Sequence, residues 1–197
     1  MKLLKKNIEK TIEIKKSRFI TYIYRVNDES EFNQYLSDIR QKHRDARHIL
    51  YAYITSDLKM GACEDKEPVN AAHRILNTLK AKDAAGIACF IVRYFGGILL
   101  GASNLDRTYV KCVFDNLSDS DFGQKVTLDV FVGKLSNNYL GIFQKRLSEL
   151  GGEVLKREFM GPIVKVTFAL QNNEKCKIIN AYLSEVAKND KKITKIV

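Results

Sequence analysis

The run Ile87-Ala88-Cys89-Phe90-Ile91-Val92, bounded by Gly86 and continuing through Arg93-Tyr94-Phe95 to Gly96-Gly97, constrains this chain more than any other stretch. A short apolar run stopped by glycine on both sides predicts a strand buried on both faces, and therefore central in its sheet. Gly96, Gly97 and Gly101 then fall close together. Residues without a Cβ let the chain turn sharply and let a ligand, a neighbour or a second strand approach the main chain. Ser103 reads as the start of a helix just downstream, whose first amides would be open to an anion. A tight turn with close helix–strand packing is the competing reading of the same glycines.

The chain around this run has 197 residues, 45% of them hydrophobic, enough for one large or two small domains. With 2 prolines and 11 glycines there is no composition for a long flexible linker. The apolar runs are far shorter than a bilayer span, and the start, Met1-Lys2-Leu3-Leu4-Lys5-Lys6, lacks the apolar core of a secretion signal. These features lead us to expect a cytoplasmic protein without a membrane partner. Cys63, Cys89, Cys112 and Cys176 are too widely spaced for a metal or redox pair and read as reduced thiols, with only Cys63 in a polar loop. A net charge of +10 suits polyanionic partners such as RNA or the ribosome, and equally suits simple solubility. Up to Asp121 there are 20 basic and 16 acidic residues, and after it 13 and 7. The shorter part is the more basic per residue.

Periodicity predicts the order of elements. Residues 8 to 25 read as a hairpin around Lys15-Lys16-Ser17-Arg18, followed by a helix from Asp28 to about His43 with Phe32, Tyr35, Leu36 and Ile39 on one face. His48 to Thr55 is a strand, Ser56 to Lys66 a loop, and Pro68 heads a second helix that buries Ala72, Ile75, Leu76 and Leu79. The helix opened by Ser103 turns Leu105, Tyr109, Cys112, Val113 and Leu117 inward. The polar segment Ser118 to Gly123 is the linker candidate, which gives domains at 1–121 and 122–197. Beyond it come a strand to Val132, a helix from Asn137 to Leu150 stopped by Gly151-Gly152, and strands Glu153 to Glu158 and Ile163 to Leu170. A helix carrying Cys176, Ile179, Leu183 and Val186 and a strand Ile193 to Val197 complete it. That order, β-α-β-β-α-β, is the ferredoxin-like split unit, and the whole is an α+β protein.

Four segments together carry a family resemblance: Lys16-Ser17-Arg18-Phe19-Ile20, Asp45-Ala46-Arg47-His48, Asp65-Lys66-Glu67-Pro68, and the long Val92 to Gly101 motif. On these the chain resembles the YigZ/IMPACT family along almost its whole length. The resemblance implies a first domain like the second domain of small-subunit ribosomal protein five. It implies a second, ferredoxin-like domain similar to the fifth domain of elongation factor G. It further implies a translation-linked or nucleic-acid-binding role, with no established reaction or cofactor. The chain departs from the family pattern where Lys66 stands in place of a glycine, where Asn70-Ala71-Ala72-His73 replaces a Gly-Thr-Ala-Gly stretch, and where Ala102-Ser103-Asn104 replaces Thr-Gly-Gly.

Three functional readings follow. The first is a non-enzymatic protein that binds RNA or a ribosome-associated partner. Its contacts would be Arg18, Arg47, His48, Arg93, Gly96, Gly97, Ser103 and Arg107 in the first domain and Lys134, Lys156 and Arg157 in the second, because guanidinium groups and open amides grip phosphate. The same arginines would be silent if Glu64, Asp65 or Glu67 paired with them. The second reading is a small-anion or nucleotide-binding enzyme at the Gly96-Gly97 loop, using Glu67, His48 and His73. The third is a protein–protein regulator of translation. Asp65, Glu67 and Pro68 form a loop motif. No metal is expected from three carboxylates in four positions unless the loop folds back on itself. No nucleotide-loop, nucleophile-elbow or dinucleotide fingerprint is present. Tyr51 and Tyr53 share a strand face, where they either stack on bases or pack under a helix.

Overall fold

The computed structural model describes residues 1–171 and 173–196, with the side chains of 173 and 174 left aside. The chain divides into two compact units, 1–124 and 125–197. The division falls three residues beyond Asp121 because the short strand β8 (Phe122–Gly123) pairs back onto β1 (Lys2–Leu4), which also pairs with β6 (Ala84–Ala85).

The first unit is built on a five-stranded sheet. β2 (Ile8–Ile14) and β3 (Ser17–Arg25) form the hairpin. β4 (His48–Ile54), β5 (Met60–Cys63) and β7 (Ile87–Tyr94) complete the sheet in the order β2-β3-β7-β4-β5. Each neighbouring pair is antiparallel. β7 is central, and every residue from Ile87 to Val92 is buried, as a strand covered on both faces requires. Side chains opposite one another across a ladder share a face, so Tyr22, Tyr53, Phe90 and Val92 lie on one side under α1 (Glu29–Lys42). Phe32 of α1 stacks there on Tyr53 and Phe90, with centroids 3.9 and 5.4 Å away. Tyr51 and Tyr53 are thus packed beneath the helix. α1 starts where Asp28 accepts the Glu31 amide at 2.9 Å. The opposite face carries Phe19, His48 and Arg93 in register. It receives α2 (Ala71–Ala81) and α3 (Ala102–Phe114), and Tyr109 of α3 meets Phe19 edge-on at 5.4 Å.

The second unit is a four-stranded antiparallel sheet of β9 (Lys125–Ser136), β10 (Glu153–Met160), β11 (Ile163–Leu170) and β12 (Glu185–Ile196), in the order β10-β11-β9-β12. With α4 (Leu140–Glu149) after β9 and α5 (Asn173–Ile179) after β11, this is the β-α-β-β-α-β topology expected. Phe131, Phe143, Leu147, Val166, Phe168 and Ile179 form the core between sheet and helices.

Several local expectations are corrected. α2 begins at Ala71, with Pro68 in the turn before it. Gly101, not Ser103, is the N-cap of α3, and Ser103 lies exposed inside the first turn. The loop after β4 contains a strand, β5, in place of an uninterrupted loop. The last helix ends at Ile179, so Leu183 lies past it and Val186 lies on β12, which is far longer than Ile193 to Val197. Val197 itself lies outside the described residues. Among the described residues no helix is long and apolar enough to cross a membrane.

Candidate functional site

The loop after β5 closes over the end of the sheet where His48 and Arg93 face the same side. Each of its carboxylates has a separate task. Glu64 accepts the amides of Ala72 at 3.0 Å and His73 at 3.3 Å, capping α2 from outside. Asp65 accepts the Ile49 amide at 2.7 Å, tying the loop to the start of β4. Glu67 turns inward. Only 7% exposed, it receives Arg93 Nη1 on Oε1 at 2.9 Å and the Tyr109 hydroxyl on Oε2 at 2.5 Å. Arg93 is 6% exposed and lies over the ring of Phe95, 5.4 Å from its centroid. Burying this pair requires that both ions be satisfied, and Tyr109 supplies the missing donor. The Tyr109 hydroxyl is held far above its usual range by burial and by Glu67, so it donates and does not ionise. Asp65 and Lys66, both at positive φ (49° and 64°), make the turn that lets Glu67 point in. Lys66 thus occupies a left-handed position that glycine takes without strain.

Arg93 is therefore corrected as an open phosphate contact. Its Nη1 is committed to Glu67, although its Nε has no hydrogen-bond partner. The Gly96 amide is also engaged, donating to Ser17 Oγ at 3.2 Å, and a Cβ on Gly96 would collide with the Lys16 carbonyl. That glycine exists for close packing of strand against loop. Gly97 and Gly101, both at φ +83°, have open space where a Cβ would stand. The loop motif carboxylates diverge, and among the described residues no group of His, Cys, Asp and Glu converges as metal ligands would. Cys63 lies near Tyr51 and the Asp65 amide, and His73 faces Glu64.

The remaining candidates fall in four places. Arg47, His48 and Arg93 line a cleft of about 280 Å³ with Lys66, Glu67, Pro68, Phe95 and Leu99. Arg107 lines a separate groove of about 360 Å³ with Ile14, Lys15, Leu100, Asn104, Thr108 and Lys111. Arg18 lies on the other face of the sheet, its guanidinium 4.5 Å from the Tyr94 centroid. Lys134, Lys156 and Arg157 belong to the second unit and do not form one cluster. Lys134 pairs with Glu185 at 2.8 Å and Lys156 with Glu158 at 2.5 Å, on the sheet face shared with Lys165. Arg157, one position along β10, points to the opposite face, as alternation demands.

Sequence reasoning missed Lys15, Lys111, Tyr109 and His43 as members of polar sites. A helical spacing of four places Lys111 beside Arg107 on α3, and the two-residue turn between Ile14 and Ser17 projects Lys15, so both signals were present. His43 is buried, its Nε2 2.7 Å from the Tyr22 hydroxyl and its Nδ1 2.8 Å from that of Tyr94. Burial, with help from Lys42 and Arg18, holds its pKa below the usual histidine value.

The Impact N-terminal domain family model matches residues 15–117, which contain every lining residue of the cleft and all but Ile14 of the groove. The chain belongs to the IMPACT family. It is 32% identical over 156 residues to an IMPACT family member of Haemophilus influenzae, covering 77% of this chain and 76% of that one. It is also 32% identical over 144 residues to the IMPACT family member YvyE of Bacillus subtilis, covering 72% of this chain and 66% of that one. A crystal structure described as that of a hypothetical protein superposes with a TM-score of 0.59 at 25% identity, covering 91% of this chain and 89% of the other. The agreement extends beyond the first unit to the two-unit α+β architecture.

Proposed function

We propose that this IMPACT-family chain is a binding protein of the translation apparatus that engages RNA, with the groove between the β2–β3 hairpin tip and α3 as its principal phosphate contact. One observation carries the reading. Lys15, Arg107 and Lys111 share a groove whose lining contains no carboxylate, and none of the three has an ion-pair partner among the described residues. Like charges gathered without an acid repel one another, and an arriving polyanion relieves that repulsion while releasing its own counterions. Lys15 and Lys16 also hold positive φ (47° and 61°) in a turn where Asn-Gly is the ordinary choice. Lysine at such a turn puts charge where backbone preference would not.

Binding fits the site better than catalysis does, since both oxygens of Glu67 are already engaged and neither is free to act as a base. The likenesses to the second domain of small-subunit ribosomal protein five and the fifth domain of elongation factor G belong to the same reading. A fluorescence-anisotropy titration of an unstructured single-stranded RNA tests it. The wild-type chain binds at moderate salt, and the charge reversal Arg107→Glu with Lys111→Glu abolishes binding while circular dichroism is unchanged. Full binding by the reversed variant would refute the groove.

A further inference from the structure

The cleft beneath the Glu64–Pro68 loop carries groups that the groove does not need. His48 Nδ1 lies 2.8 Å from the Asp65 carbonyl, and a carbonyl only accepts, so Nδ1 carries the proton. Nε2 lies on the cleft side, 3.7 Å from Glu67 Oε1 and beyond hydrogen-bond distance, and in the Nδ1–H tautomer it is an acceptor with no donor among the described residues. Arg47 and Lys66, both exposed and without ion-pair partners, add positive charge to the lining. Phe95 is 47% exposed and Leu99 80% exposed, so a flat apolar surface stands next to those cations. Behind it lies the buried, hydrogen-bonded Arg93–Glu67–Tyr109 network.

A ligand for this cleft must satisfy all of these groups. Inorganic phosphate would use Arg47 and Lys66 but leave Phe95 and Leu99 wet. A purely apolar ligand would cover the rings but bury the cations unpaired, which is costly. A planar ring with an N–H donor, joined to one phosphate, uses every group, and the volume of about 280 Å³ suits a ligand of that size. We propose that the cleft binds a single nucleotide unit, its base against Phe95 and Leu99 with an N–H toward His48 Nε2, and its phosphate on Arg47 and Lys66. The unit is either a free nucleoside monophosphate or one residue of an RNA chain. The proposal stands on the cleft alone and survives if the groove reading fails.

The experiment titrates the full chain by calorimetry with ribonucleoside 5′-monophosphates, the matching nucleosides, inorganic phosphate, and a short single-stranded oligoribonucleotide. A monophosphate binds, and Arg47→Ala, Lys66→Ala and Phe95→Ala each weaken it by about tenfold, as expected for one charge-assisted or stacking interaction. Arg107→Ala with Lys111→Ala leaves that binding unchanged. If only the oligonucleotide binds, with the same sensitivity to Arg47→Ala and Phe95→Ala in the Arg107→Ala/Lys111→Ala background, the unit belongs to an RNA chain and the proposal holds. It is overturned if neither ligand responds to the cleft substitutions, or if inorganic phosphate binds as tightly as the monophosphate.

Discussion

Two sets of cations on this protein differ in the company they keep. On the sheet of the second unit, Lys134, Lys156 and Lys165 stand within ion-pair distance of Glu185 or Glu158. In the groove of the first unit, Lys15, Arg107 and Lys111 stand with no acid at all. Counting residues ranks the second part as the more basic, yet charge available to a partner is what remains after internal pairing. Arg93 marks the extreme of the first condition, committed to Glu67 and buried.

The contrast predicts effects of falling size. Removing the acid from the buried pair is the harshest change, because Glu67→Ala strands Arg93 in a dry site. It costs about 3–5 kcal/mol in chemical denaturation, and a cost near zero would mean that Arg93 escapes to water. Tyr109→Phe leaves Glu67 Oε2 without its donor and costs about 1–3 kcal/mol. His43 offers a cation made on demand, between Lys42 and Arg18 and away from water. Its folded pKa is depressed, so its contribution to stability is complete above the unfolded value of about 6.5 and is lost as pH falls through the folded value. Stability of the wild type therefore declines below neutrality, and His43→Gln flattens that decline in melts recorded across this range. Glu158→Gln, by contrast, removes only an exposed partner of Lys156 and Lys165 and leaves the melting temperature unchanged, while raising the RNA affinity of that face.

Much of this architecture can be read from residue order. Ile87 to Val92 identifies the central strand because six buried positions admit few alternatives. The spacing of Phe32, Leu36 and Ile39 identifies α1. Pairings set by distant partners are not legible in this way. β1, β6 and β8 are too short to show a pattern and exist because Leu3 meets Ala85 and Gly123 across the fold. Cys176, Ile179, Leu183 and Val186 keep a helical spacing, yet the chain leaves α5 at Ile179 and Val186 joins a strand beside Gly133. The Gly96-Gly97 motif reads equally as an open anion turn or as close packing, and Gly96 packs on Lys16. Arg93 is neutralised by a residue 26 positions away and steadied by Tyr109, 42 positions from that glutamate. No local pattern reports such pairings.

The salt dependence of RNA binding tests the central claim most directly, measured for the wild type, for Arg107→Ala with Lys111→Ala, and for Lys134→Ala with Lys156→Ala. Deleting one phosphate-neutralising cation lowers the slope of log affinity against log salt by about 0.7 for single strands. Phosphate contact in the groove predicts a slope shallower by about 1.4 in the groove variant and unaltered in the sheet-face variant. An unaltered slope in the groove variant, or a fall confined to the sheet-face variant, would contradict it.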